Sequence, residues 1–547
     1  MSMICVPIMV EEANNALLDA SLAQAKGADL VEYRVDLLFE ERDGESLEVR
    51  IDRVLELAKE SPLPCIITCR PHWEGGDYHG DDDERVSLYE ALGTSDHPPA
   101  YIDVELATYT RSANIRQKVN LAVDHPKQQR NVTTRLILSS HDFEGRPSDL
   151  TRKIVAMNDE PTCAVVKIAY RARSIRDNLE VFEILRDRQK PMIALCMGEF
   201  GLMSRVLAPK FGGLLTFASL RDEEMTAPGQ PTLDDLLNLY RFRSITATTK
   251  VYGIIGWPVT QSMSPLVHNA GFEKIGWDGV YVPMPVEGSY ESFKATMLAI
   301  VDSDLDFTGA SVTIPHKIHA ASLAAEQGWL KDFADWPPVA INTLSVHDIE
   351  NINIANTDSE AIKCLISDAE FDAGWFFSRP VIIGTGGVAR SAAVGSWPTE
   401  TYITGRNASK ADQLVSELQQ YTTKVEHLEH PWIQRLSNLS DAPSKFAVFI
   451  NCTPVGMTGG PDPDGLSIPI PDMPPLPPET VFFDTVYNPI ETPMLKAAKE
   501  RGYRTIDGVQ MFVKQAEAQF QLWTGQNPPD GLFDQLVRRK LSETDPE

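Results

Sequence analysis

The sequence predicts an α/β protein: an N-terminal TIM (β/α)8 barrel, then a second α/β region, then a third with a Rossmann-like turn. Three observations carry this. Strand-like and helix-like segments alternate eight times in roughly the first 240 residues, the count and length of a closed barrel. The texture then changes at Thr246-Ala247-Thr248-Thr249, a short polar linker. Further on, an apolar strand runs into a glycine turn at Val381-Ile382-Ile383-Gly384-Thr385-Gly386-Gly387.

The barrel strands are predicted at 3–9, 30–35, 65–69, 101–104, 135–139, 163–168, 192–196 and 214–217, short apolar runs separated by helical patterns. The acidic run Asp81-Asp82-Asp83-Glu84 reads as a solvated loop or helix start. Charges collect at the C-terminal strand ends. Glu32 and Arg34 end the second strand, Arg70 follows the third and His141 the fifth; Lys167 lies near the end of the sixth and Arg205 follows the seventh. In a barrel these positions converge on one mouth, where such sites are built. The second region opens with Val251-Tyr252-Gly253-Ile254-Ile255-Gly256 and the third near Pro380. The proline-rich stretch 469–478 reads as a loop before the strand Val481-Phe482-Phe483. Val509, Phe512, Val513, Ala516, Phe520 and Trp523 share one helical face, and Gly525 is a natural stop.

Composition bounds the function. The chain has 547 residues, 43% of them hydrophobic, and a net charge of −27. That charge argues against nucleic-acid or anionic-membrane partners, which need a basic surface. It also means that an anionic substrate must be met by locally placed Arg or Lys. The cysteines are seven (Cys5, Cys65, Cys69, Cys163, Cys196, Cys364, Cys452), an odd number with no CxxC pair, which suits a reducing compartment. The N-terminus looks like a first strand rather than a signal peptide, and no window is apolar enough to span a bilayer, so a cytoplasmic protein is expected. No metal site is expected.

Lys167 stands out because a lysine is costly where it sits, inside Thr162-Cys163-Ala164-Val165-Val166-Lys167-Ile168-Ala169. Burial lowers an ammonium pKa, and a neutral, desolvated amine can attack a ketone to form a Schiff base. The competing reading is a lysine that snorkels out at the strand end. Schiff-base chemistry needs a proton-transfer partner, and His141 on the adjacent strand is suited to it.

The motifs Glu32-Tyr33-Arg34-Val35-Asp36, Thr68-Cys69-Arg70 with Glu74-Gly75-Gly76, Ser139-Ser140-His141-Asp142-Phe143, the Lys167 strand, Met203-Ser204-Arg205 and Ala227-Pro228-Gly229-Gln230 resemble type I 3-dehydroquinate dehydratase. The resemblance covers residues 1–244 and implies that Lys167 forms an imine with the substrate's C3 ketone. His141 would remove a C2 proton and assist loss of the C1 hydroxyl, and Arg205 would hold the carboxylate. Glu32, Arg34, Arg70, Glu74 and Gln230 would line the pocket with Thr226, which stands where the family usually has serine.

In the third region Gly384-Thr385-Gly386-Gly387-Val388-Ala389 fits G-x-G-x-x-G/A, whose glycines let backbone N–H groups approach a pyrophosphate. About 20 residues on, Arg406 stands beside Asn407 with Lys410 nearby, favouring the 2′-phosphate of NADP over the bare ribose of NAD. The crossover from Gly387 to Tyr402 is short, truncated by Gly395 and Pro398. Around this turn, Ser262-Met263-Ser264-Pro265, Ser311-Val312-Thr313-Ile314-Pro315-His316-Lys317, Ile341-Asn342-Thr343, Asn356-Thr357-Asp358, Asn451-Cys452-Thr453-Pro454, Asp484-Thr485-Val486-Tyr487 and Gln510-Met511-Phe512-Val513-Lys514-Gln515 together resemble shikimate dehydrogenase. That resemblance implies a two-domain α/β dehydrogenase: a substrate-binding domain at 250–355, a Rossmann-like NADP-binding domain at 356–489, and helices at 490–547 returning to the first. Lys317 and Asp358 would be the catalytic pair. Ser262 and Ser264 would bind the carboxylate, and Thr313, Asn342, Tyr487 and Gln515 the rest of the substrate. Gly508 would join the glycine turn at the cofactor. Ser311 departs from the family's usual asparagine.

The two resemblances imply consecutive steps: dehydration of 3-dehydroquinate to 3-dehydroshikimate, then NADPH-dependent reduction to shikimate. A catabolic quinate or shikimate dehydrogenase is one rival. A non-catalytic metabolite sensor is another, though a sensor would be expected to lose Lys167, His141, Lys317 or Asp358.

Overall fold

The computed structural model describes residues 2–40, 44–125, 132–221, 229–330, 339–348, 351–373, 378–422, 432–443, 445 and 447–544. The chain divides into two compact units, Met1–Thr249 with Val282–Pro285, and Lys250–Tyr281 with Val286–Glu547.

The first unit is built on eight strands: β1 (Met3–Met9), β2 (Leu30–Arg34), β3 (Cys65–Thr68), β4 (Tyr101–Glu105), β5 (Arg135–Asp142), β6 (Cys163–Arg171), β7 (Met192–Met197) and β8 (Leu215–Phe217). They lie in the order β7-β6-β5-β4-β3-β2-β1-β8. The Leu214 N–H donates to the Met192 carbonyl (2.8 Å) and draws the two ends of the order together. Side chains alternate across a strand, so every second residue faces the axis. One inward set is apolar: Cys5, Leu30, Ile66, Tyr101, Ile137, Val165, Ile193 and Leu215. Two residues further along five of the strands, the same face carries Glu32, Thr68, Asp103, Ser139 and Lys167, all buried. A polar layer thus rests on an apolar floor.

All eight predicted strands are present, but β5 and β6 each run three residues beyond the sequence estimate. Pairing continues through His141↔Ala169 and Asp142↔Tyr170. His141 therefore lies within β5, and Lys167 in the middle of β6 rather than near its end. Hydropathy marks only the apolar part of a strand, whereas backbone pairing does not depend on it. The acidic run starts a helix, Asp82–Thr94, with Asp81 capping the Asp83 N–H at 2.9 Å. Asp82 itself is buried and pairs with Arg85 and Arg111.

From Lys250 onward the chain forms two sheets. The first contains β9 (Lys250–Gly256), β10 (Gly279–Pro285), β11 (Phe307–Val312), β12 (Thr343–Asp348) and β13 (Asn351–Ala355), in the order β10-β9-β11-β12-β13. The other contains β14 (Arg379–Ile383), β15 (Thr401–Thr404), β16 (Ile433–Arg435), β17 (Ala447–Asn451), β18 (Val481–Asp484) and β19 (Arg504–Ile506). Its order, β16-β15-β14-β17-β18-β19 with parallel pairs, reverses direction between β14 and β17. That reversal opens a crevice at the carboxyl ends of the strands, where such sheets take nucleotides. The sheet draws its last strand from beyond residue 489 and ends at Ile506. The crossover after β14 is as short as the sequence suggests: its helix, Gly387–Gly395, stops just before Pro398. A Cβ on Gly395 would lie 2.5 Å from the Ser359 carbonyl, so glycine lets this helix approach the helix Thr357–Ala373. The predicted apolar face of the helix Gly508–Thr524 packs with Tyr252, Ile254 and Phe272 of the first sheet's layer. Gly525 ends that helix at φ 71°, a conformation glycine adopts without strain. Among the described residues no helix is long and apolar enough to cross a membrane.

Candidate active sites

The barrel pocket forms where the polar layer meets the C-terminal strand ends. Glu32, Arg34, Arg70, Glu74, His141, Lys167, Arg205 and Gln230 all line it. Thr226 lies outside the described residues. Lys167 is buried, and its Nζ donates to Asp103 Oδ2 at 2.8 Å and Glu32 Oε1 at 3.2 Å. Burial alone would lower its pKa, as the sequence argument expected. The two carboxylates outweigh burial and hold the amine above its ordinary value. The unliganded lysine is thus an ammonium, and the expectation of a spontaneously neutral amine is corrected.

Asp103 was missed by sequence reasoning. It is fully buried and accepts from Arg70, Ser139 and Lys167. Two residues on, Glu105 accepts from Arg70 (2.7 Å) and from fully buried Arg85 (2.7 Å). The signal was available: Tyr101-Ile102-Asp103-Val104-Glu105 places two carboxylates at period two, on one face of a buried strand. Arg70 is committed to these two carboxylates and braces the layer.

Arg205 is different. It is 2% exposed and makes no ion pair among the described residues, and burial pulls its guanidinium down to about 10. A helix immediately after β7, Leu202–Val206, positions it. A buried guanidinium without a counter-charge is poised for an incoming carboxylate. His141 is held well below its ordinary pKa, first by burial and then by Arg70 and Lys167, and is a neutral base. Glu74 accepts the His141 main-chain N–H at 2.7 Å, and burial pushes its carboxyl up to about 7.

In the second unit, one pocket brings together Ser262, Ser264, Thr313, Lys317, Asn342, Asp358, Tyr487, Gly508 and Gln515. Helix starts supply several of these. Ser264 opens the helix Ser264–Ile275, Lys317 opens Lys317–Glu326, and Asp358 is the second residue of Thr357–Ala373. Lys317 Nζ bonds directly to Asp358 Oδ2. Asn342 is clamped by Thr343 and Thr357, its Oδ1 accepting from the Thr343 hydroxyl (2.7 Å) and the Thr357 N–H (2.8 Å). Ser311 also lines the pocket. It accepts from the Tyr281 hydroxyl and donates to Gln519 Oε1, both at 2.7 Å. Gln519 was another omission, one helical turn beyond Gln515 on the same face.

The glycine turn follows β14. Gly384 has φ +128°, and a Cβ there would meet the Cys452 carbonyl at 2.8 Å. Gly386 precedes the helix Gly387–Gly395, and a Cβ there would meet nothing within 4 Å, which leaves room for a phosphate group. A Cβ on Gly387 would lie 3.3 Å from Lys317 Cβ, and Val388 lines the pocket of Lys317 and Asp358, so turn and catalytic pair adjoin. Ala389 is buried in the sheet–helix core. Arg406, Asn407 and Lys410 are exposed just beyond β15, and neither cation has a carboxylate partner among the described residues. The donor set and the space fit a phosphorylated dinucleotide.

Comparison with known proteins agrees with this geometry. Residues 4–247 match the type I 3-dehydroquinase model, 254–328 the shikimate dehydrogenase substrate binding domain, and 508–538 the shikimate 5′-dehydrogenase C-terminal domain. A chloroplastic bifunctional 3-dehydroquinate dehydratase/shikimate dehydrogenase of Arabidopsis thaliana is 35% identical over 98% of this chain and 84% of its own. The NADP(+) shikimate dehydrogenase of Microcystis aeruginosa is 31% identical over 54% of this chain and 99% of its own. The pentafunctional AROM polypeptide of Schizosaccharomyces pombe is 26% identical over 96% of this chain, which corresponds to 32% of that protein. The chain therefore belongs to the bifunctional type I 3-dehydroquinate dehydratase/shikimate dehydrogenase family, a shikimate-pathway lyase and NADP-dependent oxidoreductase on one polypeptide.

Proposed function

We propose that Lys167 is the Schiff-base nucleophile of the dehydratase, His141 its general acid–base, and Arg205 the group that holds the substrate carboxylate. One observation carries this reading: the pocket combines a buried amine, a neutral imidazole and a buried guanidinium with no counter-charge among the described residues. Lys167 gives its proton to neutral His141 and adds to the C3 ketone of 3-dehydroquinate; His141 returns the proton to the carbinolamine hydroxyl, whose loss as water leaves an iminium. The iminium withdraws electrons, so His141 can take a C2 proton and the pair of electrons delocalises into an enamine. The enamine expels the C1 hydroxyl, which leaves as water with a proton from His141. Hydrolysis of the iminium releases 3-dehydroshikimate and restores the lysine. Glu74, held near 7, is the pocket carboxyl that changes charge in the working pH range.

In the second pocket, Ser262 and Ser264 bind the carboxylate of 3-dehydroshikimate. Thr313, Asn342, Tyr487 and Gln515 hold the rest of the substrate against Lys317 and Asp358. NADPH, when bound, supplies the hydride. Lys317 donates the proton needed by the developing alkoxide, and Asp358, bonded to its Nζ, keeps that lysine aimed. Gly384, Gly386 and Gly387 would cradle the pyrophosphate, Gly508 and Val388 would border the nicotinamide end, and Asn407 would stand with Arg406 and Lys410 at the ribose phosphate. The two cations favour NADPH over NADH. A reducing compartment, the cytoplasm in this reading, suits seven cysteines that form no disulfide.

The test supplies 3-dehydroquinate with borohydride, then maps the peptides. Trapped substrate mass on the Lys167 peptide is expected, and labelling elsewhere would reject the assignment. On the same preparation, turnover of shikimate with NADP⁺ should exceed turnover of quinate with NAD⁺. The reverse would favour the catabolic alternative.

A further inference from the structure

The barrel carries a second cleft, of about 780 Å³, at the N-terminal ends of β7, β8 and β1. It shares no residue with the Lys167 pocket. Among the described residues four cations line it, Arg186, Arg188, Lys190 and Arg243, and no carboxylate does. In a chain with 77 acidic and 50 basic residues, that lining runs against the background.

The four cations are not equivalent. Arg243 is neutralised by Asp29 at 2.7 Å, and Arg186 lies 3.8 Å from Asp187. Arg188 instead donates to two main-chain carbonyls, those of Leu185 (2.7 Å) and Phe211 (3.1 Å). Lys190 donates to the Glu160 main-chain carbonyl. Neither has a carboxylate partner among the described residues. A carbonyl fixes a cation in place without cancelling its charge, so both are oriented and both retain a net positive charge. Gly212 supports this arrangement: at φ +72° it leaves the space that the Arg188 guanidinium occupies, and a Cβ there would meet Arg188 Nη2 at 2.5 Å. The accessible apolar lining is Pro191, Pro209 and Leu214, over a base of buried Phe242 and Ile245. The volume lies within the range of small-molecule sites.

We infer that this cleft binds a small organic dianion with an apolar body, its charge met by Arg188 and Lys190 and its body by Pro191, Pro209 and Leu214. A phosphate monoester and a dicarboxylate share that chemistry. Such a ligand would act apart from both reactions, because neither cation belongs to either catalytic pocket.

The experiment uses the full chain with phenyl phosphate, phthalate and inorganic phosphate as probes. Amide hydrogen exchange is followed by peptide, because the phosphate-binding cofactor turn and Arg205 could otherwise mask the result. Phenyl phosphate or phthalate should slow exchange within 186–192 and 209–214, and whichever binds more tightly identifies the anion class. Inorganic phosphate, which lacks the apolar body, should bind at least ten-fold more weakly. Arg188→Gln with Lys190→Gln should weaken binding at least ten-fold and leave both turnover rates unchanged without probe. Arg188→Lys keeps the charge and loses the fork, and should fall between. If the double variant does not fold, Arg188→Lys alone decides. No protection in those segments, or binding unaffected by these substitutions, would overturn the inference.

Discussion

Asp103 shows how much rests on one side chain. It lies between Arg70 and Lys167, with no exposure, and serves both. Asp103→Asn would leave two buried cations short of a counter-charge. Breaking a buried pair in this way costs about 3–5 kcal/mol, and a lower denaturant midpoint is the expected reading. The same change removes the main force holding the Lys167 amine protonated, so borohydride trapping should extend to lower pH if the variant folds. Glu74 makes a second residue-scale prediction. Its carboxyl is raised from 4.5 to about 7, so the stability it contributes is full below its unfolded value and is lost as pH rises to about 7. Glu74→Gln should flatten that part of the stability profile between pH 4.5 and about 7 and remove an ionisation near 7 from the dehydratase rate. An unchanged profile in both measurements would remove Glu74 from the site. Lys167 was legible from the sequence because a charged residue in an apolar run is conspicuous, and His141 because it stands on the neighbouring strand as a titratable partner. Asp103 lay in an equally apolar run and was passed over because its neighbours in sequence gave it no motif.

At the scale of elements, the glycine turn after β14 is the most constrained feature. Gly384→Ala would strain a positive φ and drive a methyl group against the Cys452 carbonyl. Strain of this kind costs about 1–3 kcal/mol, and NADP⁺ titration should show affinity reduced by at least ten-fold, with shikimate binding less affected. The shortened crossover leaves the parallel sheet intact because the helix Gly387–Gly395 packs directly on Thr357–Ala373, through the bare Gly395. Strand existence was readable from apolar runs. Strand length was less so, since the polar ends of β5 and β6 are held by ladder hydrogen bonds to which hydropathy is blind.

For the molecule as a whole, two compact units imply separable activities. Lys167→Ala should abolish dehydration of 3-dehydroquinate and leave NADPH-dependent reduction of supplied 3-dehydroshikimate within two-fold of the parent. NADP⁺ binds only the folded second unit, so it should raise the thermal transition of that unit and leave the barrel's transition in place. A parallel loss of both activities in Lys167→Ala would show that the amine supports the fold of the whole chain.

The order of strands and helices and the prominence of Lys167 could be read from local pattern, whereas the two reaction classes and most polar groups of both pockets came through the resemblance of whole motifs to known families. Periodicity, glycine spacing and the placement of charges are properties of neighbouring residues, so one dimension suffices to record them. The protonation state of the lysine, the bracing of Arg70 by Asp103 and Glu105, and the isolation of Arg205 were decided only by folding. Each depends on which charges meet across strands 33 to 135 residues apart in the chain, and on how much water burial removes from between them.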